Sequence, residues 1–273
     1  MKHALFIQRA AIFSPSLQDK DAAILRAVEE EMKKVNISTT LCSEESLEST
    51  TLPSYDILIH MARSREALSR LADCEQRGTP VLNSASSILC LRRAYLLEES
   101  RSIGLPVPPF AICERGDLGF PFWWKRDDGA SHRTDDVVLV RSEEEWKEVQ
   151  KRGIARYVVE KHIEGDLLKF YSVQGTSFFH WNYPTYSKFG KERENGSAQG
   201  YQFDEKKMKE LVDLLAEAMG LQVFGGDAIV DKEGRFYLID FNDWPSFSSC
   251  REEAAKAIAE VALEALGLSE GKR

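Results

Sequence analysis

The residues with the strongest claim to chemistry lie between Gly225 and Phe247, in GGDAIVDKEGRFYLIDFNDWPSF. Two β-like runs, GGDAIVD and FYLIDFN, flank Lys232-Glu233-Gly234-Arg235, which reads as a hairpin turn. A turn symmetric about the Glu233–Gly234 bond places Val230 opposite Tyr237 and Asp227 opposite Asp240. Asn242, two residues beyond Asp240, then points from the same face. Carboxylates opposed on adjacent strands have Cβ atoms about 5 Å apart and repel, so the pair is costly unless a cation lies between them. Asp227, Asp240 and Asn242 offer only oxygen, which suits Mg²⁺ or Mn²⁺ and not zinc. The same residues also make an ordinary hairpin with its acids in solvent, and the pattern alone leaves both readings open.

Basic residues elsewhere could serve such a centre. Lys125 ends the aromatic strand FPFWWK and leads into RDDGASHRTDD, where a strand-borne lysine beside a polar loop can hold phosphate oxygens as a point charge. The loop lacks GxxxxGK[ST], and a plain hairpin connection to DVVLV explains it equally well. Leu167–Val173 alternates, placing Lys169 on one face with Tyr171 and Val173, where a half-exposed lysine is the usual case. Arg9 and Arg63 sit in loops after strands, where open α/β sheets bind ligands, though a lone arginine is as readily a solvated surface charge. Lys188, Lys191 and Arg193 lie in YSKFGKERENGSAQGYQ, Tyr186 to Gln202, the least structured stretch, which is either functional or a solvated tip. Loop geometry puts Arg63, Arg9, Trp181, Tyr183 and Ser246 nearest a substrate.

The elements that must position these residues follow from periodicity. Residues 1–88 read β-α-β-β-α-β: a strand at Ala4–Ile7, a helix at Asp19–Val35, strands at Ile37–Cys42 and Asp56–Met61, a helix at Arg65–Arg77 and a strand at Pro80–Asn83. This order predicts an open, mainly parallel, Rossmann-like sheet, without the GxGxxG of a dinucleotide site. Asn83–Gly104 reads as one helix, closed by Gly104 and followed by the extended LPVPP. Strands at Phe110–Cys113 and Phe120–Lys125 and a charged helix at Ser142–Lys151 come next. Thr176–Tyr183 reads as a strand, Asp204–Met219 as a helix capped by Asp204, and Ser248–Leu266 as a terminal helix.

The chain has 273 residues, 43% hydrophobic and 29% charged, which is ordinary globular composition with room for more than one domain. Its net charge of −8 argues against a nucleic-acid or anionic-membrane partner as the main business, although a site can be locally basic. Five scattered cysteines without CxxC, and histidines without HxxxH, make a disulfide framework or zinc site a poor fit. No apolar run approaches a membrane span and the first residues run straight into a strand, so a cytoplasmic, reduced protein is expected.

In order along Asn83–Ser246, these pieces resemble the ATP-grasp superfamily of carboxylate–amine and carboxylate–thiol ligases: a basic helix with a G-L-P-V-P connector, the lysine and small-residue loop KRDDGASH, then VVEKHIEGDLLKFYSV, then GGDAIV and IDFNDWPSF. The resemblance implies an α/β fold, α+β in its C-terminal part, in which the family fold follows a small open α/β domain. The implied divisions are 1–88 for that domain, 89–157 for a small lid and 158–273 for the subdomain carrying the metal site.

The resemblance also implies roles. Asp227, Asp240 and Asn242 would ligate Mg²⁺ or Mn²⁺. Lys125 would contact the α/β-phosphates of ATP, and the backbone of Glu160, Lys161 and Ile163 would pair with adenine. Lys169 would lie near the transferred phosphate and Arg93, in preference to Arg92, at the first phosphate-binding position. The loop Asp127–Thr134, with Ser131, would close over the phosphates. Asp166 would take the ribose hydroxyls, in competition with Glu164. Asp240 stands where many members have Glu, and the phosphate loop has fewer glycines than many. The implied reaction joins a small-molecule or peptide carboxylate to an amine through an acylphosphate. EKHIEGDLLKFYSV with DFNDWPSF is also similar to the inositol polyphosphate kinases of the superfamily, and a nucleotide-binding protein without activity is the third reading. Many relatives are dimers, so a homodimer is implied as well.

Overall fold

The structure, a computed structural model, describes residues 2–13, 18–127, 136–184 and 194–268. The first segment alternates as its periodicity predicts. It comprises β1 (His3–Gln8), α1 (Gln18–Lys34), β2 (Ser38–Ser43), β3 (Ile57–His60), α2 (Arg65–Gln76) and β4 (Val81–Leu82). The four strands are parallel, in the order β2-β1-β3-β4. The central strands read ALFI and ILIH through their buried stretches, as strands covered on both faces must. Their C-terminal ends deliver Arg9 and Arg63 to one edge of the molecule.

The expected single helix over Asn83–Gly104 is two, α3 (Ala85–Cys90) and α4 (Arg93–Ser102). Arg92 between them is extended, at φ −135° and ψ 147°, and has no capping side chain of its own. Asp127 supplies the cap from a distant strand end: its carboxylate accepts the Arg93 and Ala94 amides at 2.5 and 3.3 Å. Such long-range capping satisfies amides that a helix start leaves orphaned, and no local pattern announces it.

The middle of the chain adds β5 (Phe110–Ile112), β6 (Phe122–Arg126), β7 (Val137–Val140), α5 (Glu143–Gln150) and β8 (Tyr157–Lys161). Its strands form an antiparallel sheet in the order β5-β8-β6-β7. The last part holds β9 (Asp166–Val173), β10 (Phe179–Asn182), α6 (Glu205–Ala218), β11 (Val223–Val230), β12 (Phe236–Asp243) and α7 (Arg251–Ala265). Here the antiparallel order is β10-β9-β11-β12. Asp204 caps α6 as expected, accepting the Lys207 amide at 2.9 Å.

Burial groups these parts unequally. One core joins Leu5, Ile7 and Leu71 to Leu168, Phe170, Leu215 and Leu238. A second joins Phe6, Ile24 and Val28 to Val223, Ile258 and Ala262. Residues from both faces of the first sheet thus belong to cores shared with the last part of the chain. The middle sheet has its own core of Phe122, Trp124, Val140, Trp146, Val149 and Val159. Among the described residues no helix is long and apolar enough to cross a membrane.

Candidate active site

The β11–β12 hairpin brings Asp227 opposite Asp240, as the sequence predicts, but by another route. Val230 pairs with Phe236, not with Tyr237. The loop is Lys232-Glu233-Gly234, centred on Glu233: the Asp231 amide donates to the Arg235 carbonyl, and Gly234 takes φ +77°. That turn would put the two acids out of register by one residue. A β-bulge at Ile239 restores them, and it also shifts the inward phase from Phe236 and Leu238 to Phe241. Gly226 is what lets the bulge form, because a Cβ there would stand 2.2 Å from the Asp240 carbonyl oxygen.

The bulge is also an anchor. The Lys125 ammonium donates to the Ile239 carbonyl at 2.6 Å and to the Glu160 carboxylate at 2.7 Å. Lys125 is only 2% exposed, so its charge and that of Glu160 are held as a buried pair. On the neighbouring strand Lys169 pairs with Asp227 in register and donates to its carboxylate at 2.9 Å. Arg93 reaches Asp240 at 3.3 Å and donates to the Arg126 carbonyl at 3.2 Å. A row of alternating charge therefore crosses β9, β11 and β12, with each carboxylate of the opposed pair held by a cation.

Two cavities meet at this row. The larger, about 820 Å³, is lined by Asp240, Asn242, Glu160, Ile239 and Arg93, and takes in Arg9 and Arg63 from the first sheet. The smaller, a slot of about 20 Å³, is lined by Lys125, Glu160, Lys161, Ile163, Trp123 and Asn195. Glu160 and Ile239 belong to both. The slot has room for about one water.

Most of the sequence candidates come together here. Lys125, Lys169, Asp227, Asp240, Asn242, Arg93, Glu160, Lys161 and Ile163 all line the cavities or the charged row. Among the slot's backbone donors, the Lys161 amide is taken by the Pro109 carbonyl at 2.8 Å. The Ile163 amide has no partner among the described residues. Asp166 is otherwise engaged: it is 2% exposed and accepts the amides of Gln199, Gly200 and Tyr201 at 2.6, 2.8 and 2.9 Å. Its carboxylate fastens that segment to β9, whereas Glu164 is exposed. Trp181 and Tyr183 pack with Phe203 against the core and do not line the large cavity, and Ser246 bonds to Ser248. Ser131, Lys188, Lys191 and Arg193 lie outside the described residues, as does Asp127–Thr134 apart from Asp127.

Several residues that hold the site carry no sequence signal. Glu44, buried, accepts the amides of Ala10 and Arg63 at 2.9 Å each and of Ser64 at 2.5 Å, fixing both arginine-bearing loops. Arg9 donates to the carbonyls of Met61 and Trp244 and to Asp21, and burial lowers its pKa from the usual value. Arg63 pairs with Asp243, which is 1% exposed and whose Oδ2 has no hydrogen-bond partner among the described residues. Asn195 Oδ1 is likewise buried and unpartnered beside the slot. Glu44, Asp243 and Asn195 belong to no motif, and Glu44 reaches its three amides 19, 20 and 34 residues away.

The donors test well against a hard divalent cation. Asp227, Asp240 and Asn242 form an all-oxygen set, with the two carboxylates opposed in register. Among the described residues no three of His, Cys, Asp and Glu gather as an alternative.

No family model matches the chain and no curated protein matches its sequence. Solved structures do match. A RimK domain ATP-grasp protein from Sphaerobacter thermophilus aligns at TM-score 0.67 and 15% identity, covering 96% of this chain and 99% of its own. D-alanine–D-alanine ligase from Bacillus anthracis, complexed with ATP, aligns at 0.67 and 13%, covering 99% and 100%. N5-carboxyaminoimidazole ribonucleotide synthetase from Thermotoga maritima aligns at 0.62 and 13%, covering 94% and 76%. These identities speak to fold alone, and the fold they share with this chain along nearly its whole length is that of the ATP-grasp superfamily.

Proposed function

We propose that this protein is an ATP- and Mg²⁺-dependent ligase that joins a small-molecule or peptide carboxylate to an amine. The reading is carried by the charged row Lys169–Asp227–Asp240–Arg93, with Lys125 tied to the bulge beside it. The D-alanine–D-alanine ligase complexed with ATP among the structural neighbours lends both the nucleotide and the ligase class. In the proposed reaction the acid's carboxylate attacks the γ-phosphate, giving an acylphosphate and ADP. The amine then attacks the acyl carbon and phosphate leaves. No protein nucleophile is required; the residues position the reactants and neutralise charge.

Ile163 N–H and the unpaired Asn195 Oδ1 would give the slot a donor and an acceptor for the edge of a purine. Lys125, Lys169 and Arg93 would face phosphate oxygens, with Ser131 as an expected contributor. Asp227, Asp240 and Asn242 would hold Mg²⁺, which when bound supplies charge neutralisation on the transferred phosphoryl group. Asp166 is better suited to anchoring the Gln199–Tyr201 segment, which leaves the ribose to Glu164.

One observation favours a kinase acting on a phosphorylated polyol as a second reading: six arginines line the large cavity. Four of them, Arg9, Arg63, Arg93 and Arg126, already face carboxylates, which suits a polyphosphate poorly. The fate of phosphate separates the readings. Protein, ATP and Mg²⁺ would be incubated with pools of amino acids, small carboxylates, amines and inositol phosphates, with Asp240→Asn as the control. Free phosphate with a condensed product is expected, and Asp240→Asn should lower turnover at least about a hundredfold. Phosphate transferred onto a pool member would establish the kinase, and full activity in Asp240→Asn would remove the metal assignment.

A further inference from the structure

The chain carries a net charge of −8, yet the described lining of the large cavity sets six arginines against three carboxylates, Asp127, Glu160 and Asp240. The arginines are not equivalent. Arg9, Arg63 and Arg126 are neutralised from behind by Asp21, Asp243 and Asp136, each buried and outside the lining. Arg93 belongs to Asp240. Arg65, the exposed first residue of α2, and Arg92, in the break between α3 and α4, line the same cavity without an acidic partner among the described residues.

An unpaired arginine on an open surface is ordinary. Two that share a cavity of this size with the charged row are placed to act on what fills it. The same lining includes the apolar side chains of Leu68, Leu89, Leu91 and Leu96. A guanidinium presents a planar fork that matches a carboxylate or a phosphate through two parallel hydrogen bonds. Two such groups suffice for one additional anion and fall short of a polyphosphate.

We propose that the acid activated by this protein carries a second anionic group, a carboxylate or a phosphate, bound by Arg65 with Arg92 and joined to the reacting carboxylate by a short apolar chain. The proposal rests on the ligase reading for which end reacts. It does not rest on that reading for the existence of the anion subsite.

Calorimetry on the full-length protein tests it. The probes are the straight-chain diacids from succinate to adipate, their monomethyl esters and 4-phosphonobutyrate, titrated with and without Mg²⁺ and a non-hydrolysable ATP analogue. At least one diacid, or the phosphonate, should bind at least tenfold more tightly than the matching half-ester, and the better of the two identifies the second group. Arg65→Gln should erase that ratio while leaving half-ester and nucleotide affinities within twofold of wild type. Equal affinity for diacids and half-esters in the wild type, no binding by any probe, or an unchanged ratio in Arg65→Gln would overturn the proposal. Failure of the wild type to bind the nucleotide analogue would instead sink the ligase reading, while the diacid titration without nucleotide is read on its own.

Discussion

Lys125 and Glu160 show how binding and stability can be separated at a single pair. The ammonium is buried between the Glu160 carboxylate and the Ile239 carbonyl. Removing one partner strands the other charge, so Lys125→Met alone should cost roughly 3–5 kcal/mol. Removing both in Lys125→Met/Glu160→Gln should recover most of that loss, because no uncompensated charge remains. Nucleotide affinity should stay weakened in the double variant if Lys125 serves phosphate. Denaturant unfolding and calorimetry on the same samples check both halves; a double variant that binds nucleotide normally would confine Lys125 to a structural role. Glu44 makes the complementary case, since it lies outside the lining yet holds three amides of the Arg9 and Arg63 loops. Glu44→Gln turns a donor toward those amides and should cost about 2 kcal/mol. The KM for the acid should rise more than the KM for ATP, and equal effects on both would mean that Glu44 supports only the fold.

The hairpin shows what a sequence can and cannot convey about an element. Two β-like runs on either side of a turn located both strands, and the opposition of Asp227 and Asp240 was legible because the hairpin is local. Its turn was not, since the three-residue loop and the bulge at Ile239 cancel in the register of the acids. The pairings between them betray both: Ala228 with Leu238, Ile229 with Tyr237 and Val230 with Phe236. The break between α3 and α4 was illegible for a different reason: its cap, Asp127, comes from the end of β6. The elements of residues 1–88 were legible from helical spacing and short apolar runs, whereas Glu44 and Asp243 act through contacts that no periodicity encodes. Gly226 provides a test at this scale. A methyl group in Gly226→Ala would meet the Asp240 carbonyl and the Phe170 ring at 2.2 and 2.7 Å, so the bulge must shift or the strand must move. The cost should be about 1–3 kcal/mol. Because the bulge also sets Lys125 and Asp240, nucleotide affinity should fall along with stability, unlike in an ordinary core substitution. Unchanged nucleotide binding in a destabilised Gly226→Ala would separate the bulge from the site.

Across the whole molecule, the first and last thirds are joined by shared cores and by one polar chain running through them. Asn83 accepts the amides of Gln222 and Val223 at 2.8 and 2.6 Å, and donates to the Val223 carbonyl at 2.7 Å. His60, fully buried on β3, bonds to the Asn83 carbonyl at 2.9 Å through Nε2 and accepts the Ala62 amide through Nδ1 at 3.2 Å. These partners assign the neutral tautomer with its proton on Nε2. A second proton would have to displace the Ala62 bond and sit in an apolar interior. Burial accordingly lowers the His60 pKa from its usual value near 6.5, against the pull of the Asn83 carbonyl and the carboxylates of Asp243, Glu44 and Glu75. The sign of the pH dependence follows. Below about pH 6.5 the unfolded chain takes up a proton that the folded chain refuses, so stability is complete above that pH and declines as pH falls toward the folded-state pKa. Urea unfolding between pH 7.5 and 5 should show a slope of up to about 1.4 kcal/mol per pH unit from this one group. In His60→Gln the side-chain carbonyl can accept the Ala62 amide and the NH₂ can donate to Asn83, so the junction keeps both bonds without a titrating group. The slope between pH 6.5 and 5 should then fall by one proton's worth. An unchanged slope in that variant would mean that the acid sensitivity of the junction originates elsewhere.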